Sequence, residues 1–450
     1  MLDAARLSLS RRHALWLPVD SIRRRLAHGA AWTILGTACL QLGNMISSII
    51  VARLLGQRTF GEFGMVRATI VTFGAFAGSG MALAATTYVA AHRGRDAARA
   101  AELLSLVLQI AVIVSGTVTV IALAGAGPLA VHTLNNSGLV WPLRISALLI
   151  MLNVVGGVQL GAIVGFERFA AATWLNALEG TGSVILVTIG ALYGGLEGAL
   201  AGSVVVAAVG VVAKQAVLRS SCVRIGARLR RVNILRQWRP LVVFIMPSVL
   251  LGTALQPFDW LARVFLSRLP NGYAELALFT AAFTWAQVIV LVASQVNGPL
   301  TPVIANLRAQ HEFRTLRRVI VRSQLAIVGL SLAAGAVFYF GAAHVMAAYG
   351  DSFIAGRDVL RICVLAYCVC VPALVTRAYF AATERMWLQI VHTLLGGLLL
   401  VGLSRFLAPL GARGLAMSYL AMYVAFTVLQ IGTQIVLLRR DEAAHGRQAR

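Results

Sequence analysis

Apolar stretches of about twenty residues, parted by short polar turns, recur along the chain from Gly29 to Leu438. An α-helix rises 1.5 Å per residue, so a stretch of that length spans a hydrocarbon layer about 30 Å thick. The pattern predicts twelve such helices: Gly29–Ala52, Gly64–Ala91, Leu103–Ala126, Leu139–Val164, Ala171–Tyr193, Leu196–Leu218, Leu241–Leu266, Leu276–Val303, Val319–Ala342, Val359–Phe380, Met386–Leu407 and Gly414–Leu438. No turn between them exceeds about twenty-five residues, which leaves no room for a soluble catalytic, nucleotide-binding or sensory domain.

Arginines gather in alternate turns: Arg93, Arg95 and Arg99, then Arg168, Arg219 to Arg239, Arg308 to Arg318, Arg385, and Arg439 with Arg440. The other turns hold isolated arginines such as Arg58, Arg268, Arg357 and Arg413. The positive-inside rule places the arginine-rich turns, and with them both termini, in the cytoplasm. Residues 1–28 then form a cytoplasmic tail without the small-residue cleavage site of a signal peptide. The next segments are a lobe at 29–218, a basic linker at 219–239, a second lobe at 240–438 and a tail at 439–450.

Composition agrees with a membrane chain. Hydrophobic residues make up 59% of 450, charged residues 12%, and mean hydropathy is +0.82. A soluble domain carries about twice that charged share. The net charge of +23 comes almost wholly from arginine, Lys214 being the single lysine. Its confinement to alternate turns points to anionic lipid and not to nucleic acid. The five cysteines form no ligand set, since the thiols of Cys368 and Cys370 point about 200° apart on a helix. No phosphate-binding loop of the GxxxxGK type is present, so neither ATP hydrolysis nor a cofactor is expected, and no catalytic constellation is found.

Three local matches suggest that the second half repeats the first. Ala52-Arg53-Leu54-Leu55 with Arg58 echoes Ala262-Arg263-Val264-Phe265 with Arg268, an offset of 210. Glu167-Arg168 echoes Glu384-Arg385, an offset of 217, and Glu197-Gly198 echoes Arg413-Gly414, an offset of 216. Six spans per half is an even number, so both halves enter the membrane from the same side, as in parallel-repeat transporters. The predicted fold is all-α: a polytopic membrane protein of about twelve transmembrane helices in two pseudo-symmetric six-helix lobes.

An ionisable group at the bilayer centre costs about 2.5–3.5 kcal/mol on insertion scales, so each one asks for a reason. Arg67, Arg144, Arg263, Arg361 and Arg405 fall near the outer ends of spans, on the side where positive charge is disfavoured. Each is able to snorkel to the interface. Taken together they point to an anion-binding cavity, with Arg67, Arg144, Arg263 and Arg361 as its candidate ligands. Among acids, Glu179 is the deepest and shares a helix face with Asn176, while Asp259 precedes Arg263 by four residues as an ion pair. Both are candidates for coupling an ion to transport. His392 reads as a packing residue. Pro247, Gly252, Pro257 and Pro299 break the seventh and eighth spans and are candidate hinges.

The run Trp32 to Gln41, the segment Ala52-Arg53-Leu54-Leu55-Gly56 followed by Phe60-Gly61 and Phe63, and Gly78 with Gly80 resemble the opening of polysaccharide flippases. Asp259 with Arg263, Gly272-Tyr273, Pro299 with Pro302, and Tyr349-Gly350-Asp351 with Phe353 resemble that family's second-half landmarks. These are the oligosaccharide-lipid translocases of the multidrug/oligosaccharidyl-lipid/polysaccharide exporter superfamily. The resemblance implies a V-shaped pair of lobes that flips an undecaprenyl-pyrophosphate-linked oligosaccharide, an O-antigen or exopolysaccharide repeat unit, across the bacterial inner membrane by alternating access. It also implies a proton or sodium gradient as driving force, a cationic cavity suited to pyrophosphate and acidic sugars, a polysaccharide polymerase or ligase as partner, and action as a monomer. Two alternatives stay open: a multidrug or cation antiporter of the same superfamily, and a membrane polysaccharide polymerase or ligase.

Overall fold

The computed structural model describes residues 19–226, 252–297 and 300–448, and among these there is no strand. The helices, in chain order, are α1 Val19–Gly78, α2 Met81–His92, α3 Ala97–Pro128, α4 Val140–Gly165, α5 Phe169–Gly182, α6 Thr188–Arg224, α7 Gln256–Ser267, α8 Gly272–Asn297, α9 Leu300–Ala309, α10 Phe313–Phe340, α11 Ala342–Ala347, α12 Arg357–Cys370, α13 Pro372–Ala382, α14 Met386–Phe406 and α15 Gly411–Gln448.

Nine helical stretches among the described residues are long and apolar enough to cross a membrane. Two of them each hold two of the predicted passes. In α1 the helix turns at Gly56 (φ 76°), and residues 40, 44 and 48 share a cavity wall with 63, 67 and 71 of the returning arm. The stretch through α5 and α6 turns at Gly194 and Gly195, and a Cβ on Gly190 would meet the backbone of Gly198 on the opposite arm. Other predicted passes are interrupted. The second breaks between Gly78 and Met81, and the tenth is divided before Pro372.

The duplication is written in the turns. Left-handed residues recur as Gly56 and Asn271, Asn135 and Gly350, Glu167 and Glu384, and Gly195 and Gly411, each pair 215 to 217 positions apart. Glu167 and Glu384 have the same φ of 58°, an uncommon conformation for glutamate that closes the two Glu-Arg turns alike. The first sequence match, with its offset of 210, is out of step by five residues and is corrected to 215. In the corrected register Asn44 and Ser48 of α1 are the counterparts of Asp259 and Arg263 of α7.

Burial follows the membrane expectation. Large apolar side chains such as Phe340 (79% exposed) and Phe406 (80%) face outward, a surface that water would not tolerate over this extent. Inside, one apolar cluster fills the first half around Ala77, Ile150 and Leu218. A larger one runs through the second half and crosses into the first at Val51, Phe60, Met65 and Leu139. The halves are therefore joined by core packing at the end that carries Gly56 and Asn271, opposite the arginine-rich turns.

Hydrogen bonds reinforce that closure. Gln57 Nε2 donates to Ala274 O at 3.2 Å, Tyr273 Oη to Leu134 O at 2.8 Å, Arg53 Nε to Ala348 O at 2.6 Å, and, deepest, Trp260 Nε1 to Thr69 Oγ1 at 2.9 Å. Aromatic rings complete the plug. Phe60 of the first half lies 6.0 Å from Tyr349 and 5.8 Å from Phe353 of the second, ring centre to ring centre. Gly61 permits the closest approach, since a Cβ there would collide with the carbonyl of Tyr273.

Candidate functional site

Two connected chambers lie below this plug. The first, about 470 Å³, lies between the halves and is walled by both arms of α1 together with α7, α8, α12 and α15. The second, about 320 Å³, extends into the first half between α1, α4, α5 and α6. Asn44, Ser48, Phe63, Arg67 and Val71 line both, so α1 forms the partition.

Arg67 stands at this junction. Its guanidinium lies 5.6 Å from the centre of the Phe63 ring, and its side chain is accessible from the chambers. Among the described residues no carboxylate pairs with it. A guanidinium held in a cavity without a counter-charge is a strong recruiter of an anion, because desolvation weakens its competition from water.

Arg263, by contrast, is neutralised. It is only 7% exposed and makes a two-pronged pair with Asp259, Nε to Oδ2 at 3.0 Å and Nη2 to Oδ1 at 3.2 Å. The i,i+4 spacing read from the sequence produces this contact. Phe279 and Phe283 stack their faces against the guanidinium at 5.3 and 4.9 Å, a cation–π cage supplied by α8. Tyr419 of α15 donates its hydroxyl to Asp259 Oδ1 and so fixes the carboxylate from the far side.

Glu179 is also paired. Lys214 Nζ of α6 donates to its Oε1 at 2.6 Å, with side-chain exposures of 7% for the lysine and 17% for the glutamate. The contact depends on Gly210, where a Cβ would occupy the position of the Glu179 carboxylate. Next to Glu179, the wide turn Ser183–Val187 leaves the Ser183 carbonyl able to accept from Ser47 Oγ at 3.0 Å.

The structure thus brings Arg67, Asp259 and Arg263 together in the first chamber, and Arg67 and Glu179 in the second. Arg144 and Arg361 line neither chamber. Arg144 lies at the start of the second turn of α4, exposed, 5.3 Å from the Trp141 ring, the arrangement of an interfacial anchor. Arg361 bonds Tyr339 O at 3.3 Å and Asp358 at 3.4 Å, and Asp358 also pairs with Arg413 at 2.7 Å. Both arginines thus stand outside the two chambers, each held by contacts of its own.

Of the candidate hinges, Pro247 and Pro299 lie outside the described residues. Pro257 occupies the first turn of α7, where a missing N–H costs nothing, and the chain ahead of it passes through a turn at Ala254 and Leu255. Gly252 packs so near Ser79, at the break in the second pass, that a Cβ would lie 2.8 Å from it. His392 is 5% exposed and reaches Thr433 at 3.4 Å.

Sequence reasoning missed Lys214 as partner of Glu179, and Tyr419, Phe279 and Phe283 as the cage. The available signal was the single lysine on an apolar span, and aromatic pairs at i,i+4 in Phe279/Phe283 and Tyr419/Tyr423.

Comparisons with known proteins accord with this architecture. A family model described as "Polysaccharide biosynthesis protein" matches residues 26–308. The EPS I polysaccharide export inner membrane protein EpsE of Ralstonia solanacearum is 26% identical over 200 residues, and that of Ralstonia nicotianae 26% over 201. Each match covers 44% of this chain and 45% of the relative, so the likeness spans under half the length of those proteins. Among solved structures, a multidrug resistance MATE family transporter of the MOP superfamily in its inward-facing conformation superposes with a TM-score of 0.74 at 15% identity, over 90% of this chain and 96% of that one. A MOP superfamily transporter from Pyrococcus furiosus, described as having a binding pocket of reversed polarity, gives 0.68 at 16% identity over 93% and 96%. These structural likenesses establish the fold.

Proposed function

We propose that this chain, which belongs to the polysaccharide biosynthesis protein family and has the MOP-superfamily transporter fold, flips a lipid-linked oligosaccharide across a bacterial inner membrane by alternating access. The observation that carries the reading is Arg67, a guanidinium without a carboxylate partner among the described residues, placed where the two chambers meet. An undecaprenyl pyrophosphate fits that position. Its phosphate oxygens take the planar fork in two bonds, while the polyprenyl tail stays in lipid.

The arginine-rich turns face the cytoplasm in this reading, with lobes at 29–218 and 240–438. The plug of Phe60, Tyr349 and Phe353 then closes the outer side, and the chambers load from the inside. Glu179 and Asp259 serve as coupling groups. A proton or cation arriving at either carboxylate loosens Lys214 or Arg263, and the walls those residues anchor are free to rearrange. The delivered glycan passes to a polymerase or ligase in the same membrane, and the transporter acts as a monomer without itself making or breaking bonds.

Cation export is the competing reading, and the fold neighbours make it worth testing. Against it, the two carboxylates that line the chambers among the described residues already hold an internal cation.

The deciding assay measures translocation of a pyrophosphate-linked oligosaccharide in proteoliposomes. A charge-assisted two-pronged contact contributes about 1.5–3 kcal/mol, so Arg67→Gln is expected to slow translocation by roughly 10- to 150-fold, with membrane insertion unchanged and Arg67→Lys intermediate. Full translocation by Arg67→Gln refutes the reading. Collapsing the proton and sodium gradients in turn tests coupling, and indifference to both excludes it.

A further inference from the structure

A groove of about 180 Å³ lies on the second half between α10 and α15, and it shares no lining residue with either chamber. The two helices run antiparallel here, so the start of α10 meets the later turns of α15 at the end that carries the arginine-rich turns. Arg317 and Arg439 stand at the mouth, one from each helix and both exposed. Arg314, Arg318 and Arg440 lie within one turn of them along the chain. Glu442 also borders the groove, and its single carboxylate offsets one of the two guanidiniums at most.

Deeper in, the walls are apolar, formed by Ile320, Val321, Ile431 and Ile435. Gln324, seven residues past Arg317, lies about 10 Å further into the span at 1.5 Å per residue. There Gln324 Nε2 donates to Gln434 Oε1 at 3.2 Å across the gap, and Thr376 of α13 donates its hydroxyl to the same oxygen at 2.5 Å. Along the membrane face the apolar surface continues past the groove. Leu325 and Leu332 on α10 and Val428 on α15 are all exposed there, as are Val321 and Ile435.

Cations at the interface, an apolar cleft behind them and a run of lipid-facing side chains beyond fit a molecule with an anionic head and hydrocarbon tails. A phosphate accepts from the planar guanidinium fork in two bonds. An acyl chain lies along Val321, Leu325 and Ile435. A zwitterionic head brings its own ammonium up to the arginines and loses much of the attraction. A free anion gains the arginines but leaves the cleft unused.

We infer that the groove between α10 and α15 is a binding site for an anionic phospholipid, drawn from the leaflet that the arginine-rich turns face. Basic pockets between transmembrane helices recognise such head groups by this combination of charge and apolar wall. The occupant wedges between two helices that Gln324, Gln434 and Thr376 already tie together, so it braces the second half from outside. The site does not depend on what the chambers carry, and it stands or falls apart from the flippase reading.

The test uses the full-length protein in phosphatidylcholine vesicles that carry a trace of phosphatidylglycerol with a photoactivatable diazirine on one acyl chain. Crosslinked peptides are mapped by mass spectrometry. Labelling is expected within residues 317–332 and 428–439, at least about tenfold stronger than from a phosphatidylcholine bearing the same chain. The double variant Arg317→Gln/Arg439→Gln should lose that preference, and Arg317→Lys/Arg439→Lys, which keeps both charges, should retain most of it. Equal labelling of these segments by the two lipids in the parent protein overturns the inference without recourse to any variant. Undiminished preference in the inserted Gln variant also overturns it. Displacement of the labelled lipid by inorganic phosphate, at ionic strength matched with chloride, would make this a site for a free anion and refute the lipid assignment.

Discussion

Adding one methyl group at Gly61 should unseat the closed side of the molecule. In Gly61→Ala the new Cβ would lie within the carbonyl oxygen of Tyr273, 2.7 Å from its carbonyl carbon and 3.2 Å from the nitrogen of Ala277. All three are backbone atoms of α8, so no rotamer change relieves the clash, and the returning arm of α1 must move away from α8. Overpacking of this kind costs about 1–3 kcal/mol. The movement also strains the bonds from Gln57 to Ala274 and from Tyr273 to Leu134. At about 0.5–1.5 kcal/mol for each bond, the closed state loses roughly 2–6 kcal/mol in all, a shift of more than tenfold in the balance between closed and open forms. Gly64→Ala is the control, since its Cβ meets the Thr280 side chain at 2.9 Å, which is able to turn aside. Spin labels at Arg58 and Arg357, both exposed and on opposite halves, would report the separation by double electron–electron resonance in a cysteine-depleted background. Gly61→Ala is expected to populate a longer distance and Gly64→Ala to leave it nearly unchanged. An unaltered distance distribution in inserted Gly61→Ala refutes the argument that backbone contact at this glycine holds the halves shut.

Three further outcomes follow from the charges. Glu179→Gln and Lys214→Met, made singly, each leave one group of a buried pair uncompensated and should destabilise the protein by about 3–5 kcal/mol, whereas the double variant recovers most of the loss. Thermal unfolding in detergent reads this, and additive single losses would show that the pair is not coupled. Tyr419→Phe removes the donor to Asp259 and should lower stability by about 1 kcal/mol, with a larger effect on transport if the carboxylate's position matters. Arg144→Gln and Arg361→Gln are expected to retain translocation where Arg67→Gln loses it. Loss in all three would return the two rim arginines to the binding site.

How far the sequence reached depends on the kind of information. Turns were legible because a left-handed residue leaves a mark: glycine at 56, 195, 350 and 411, asparagine at 135 and 271, and the paired Glu-Arg at 167 and 384. Helix length and side-chain depth were legible from hydropathy alone. Rotation about the helix axis was not, and it separates Arg67 on the cavity wall from Arg144 on Trp141. Asp259 with Arg263 was readable because both lie on one helix, four residues apart. Glu179 with Lys214 was not, because the two are 35 residues apart on opposite arms of a hairpin and a wide turn between them resets the facing. The early repeat match failed for a similar reason. Arg58 opens the returning arm of α1 two residues after Gly56, whereas Arg268 is the C-cap of α7, so they recur by location and not by register.

The register of the repeat has a consequence for how a passenger sits. Asn44 and Ser48 occupy in one bundle the stations that Asp259 and Arg263 occupy in the other, and all four look onto the same space. A twofold scaffold has thus been given unequal sides, one bearing a locked ion pair and the other only an amide and a hydroxyl. A guest in such a space cannot be turned end for end without exchanging its neighbours, so the vestibule reads polarity along the cargo as well as its size.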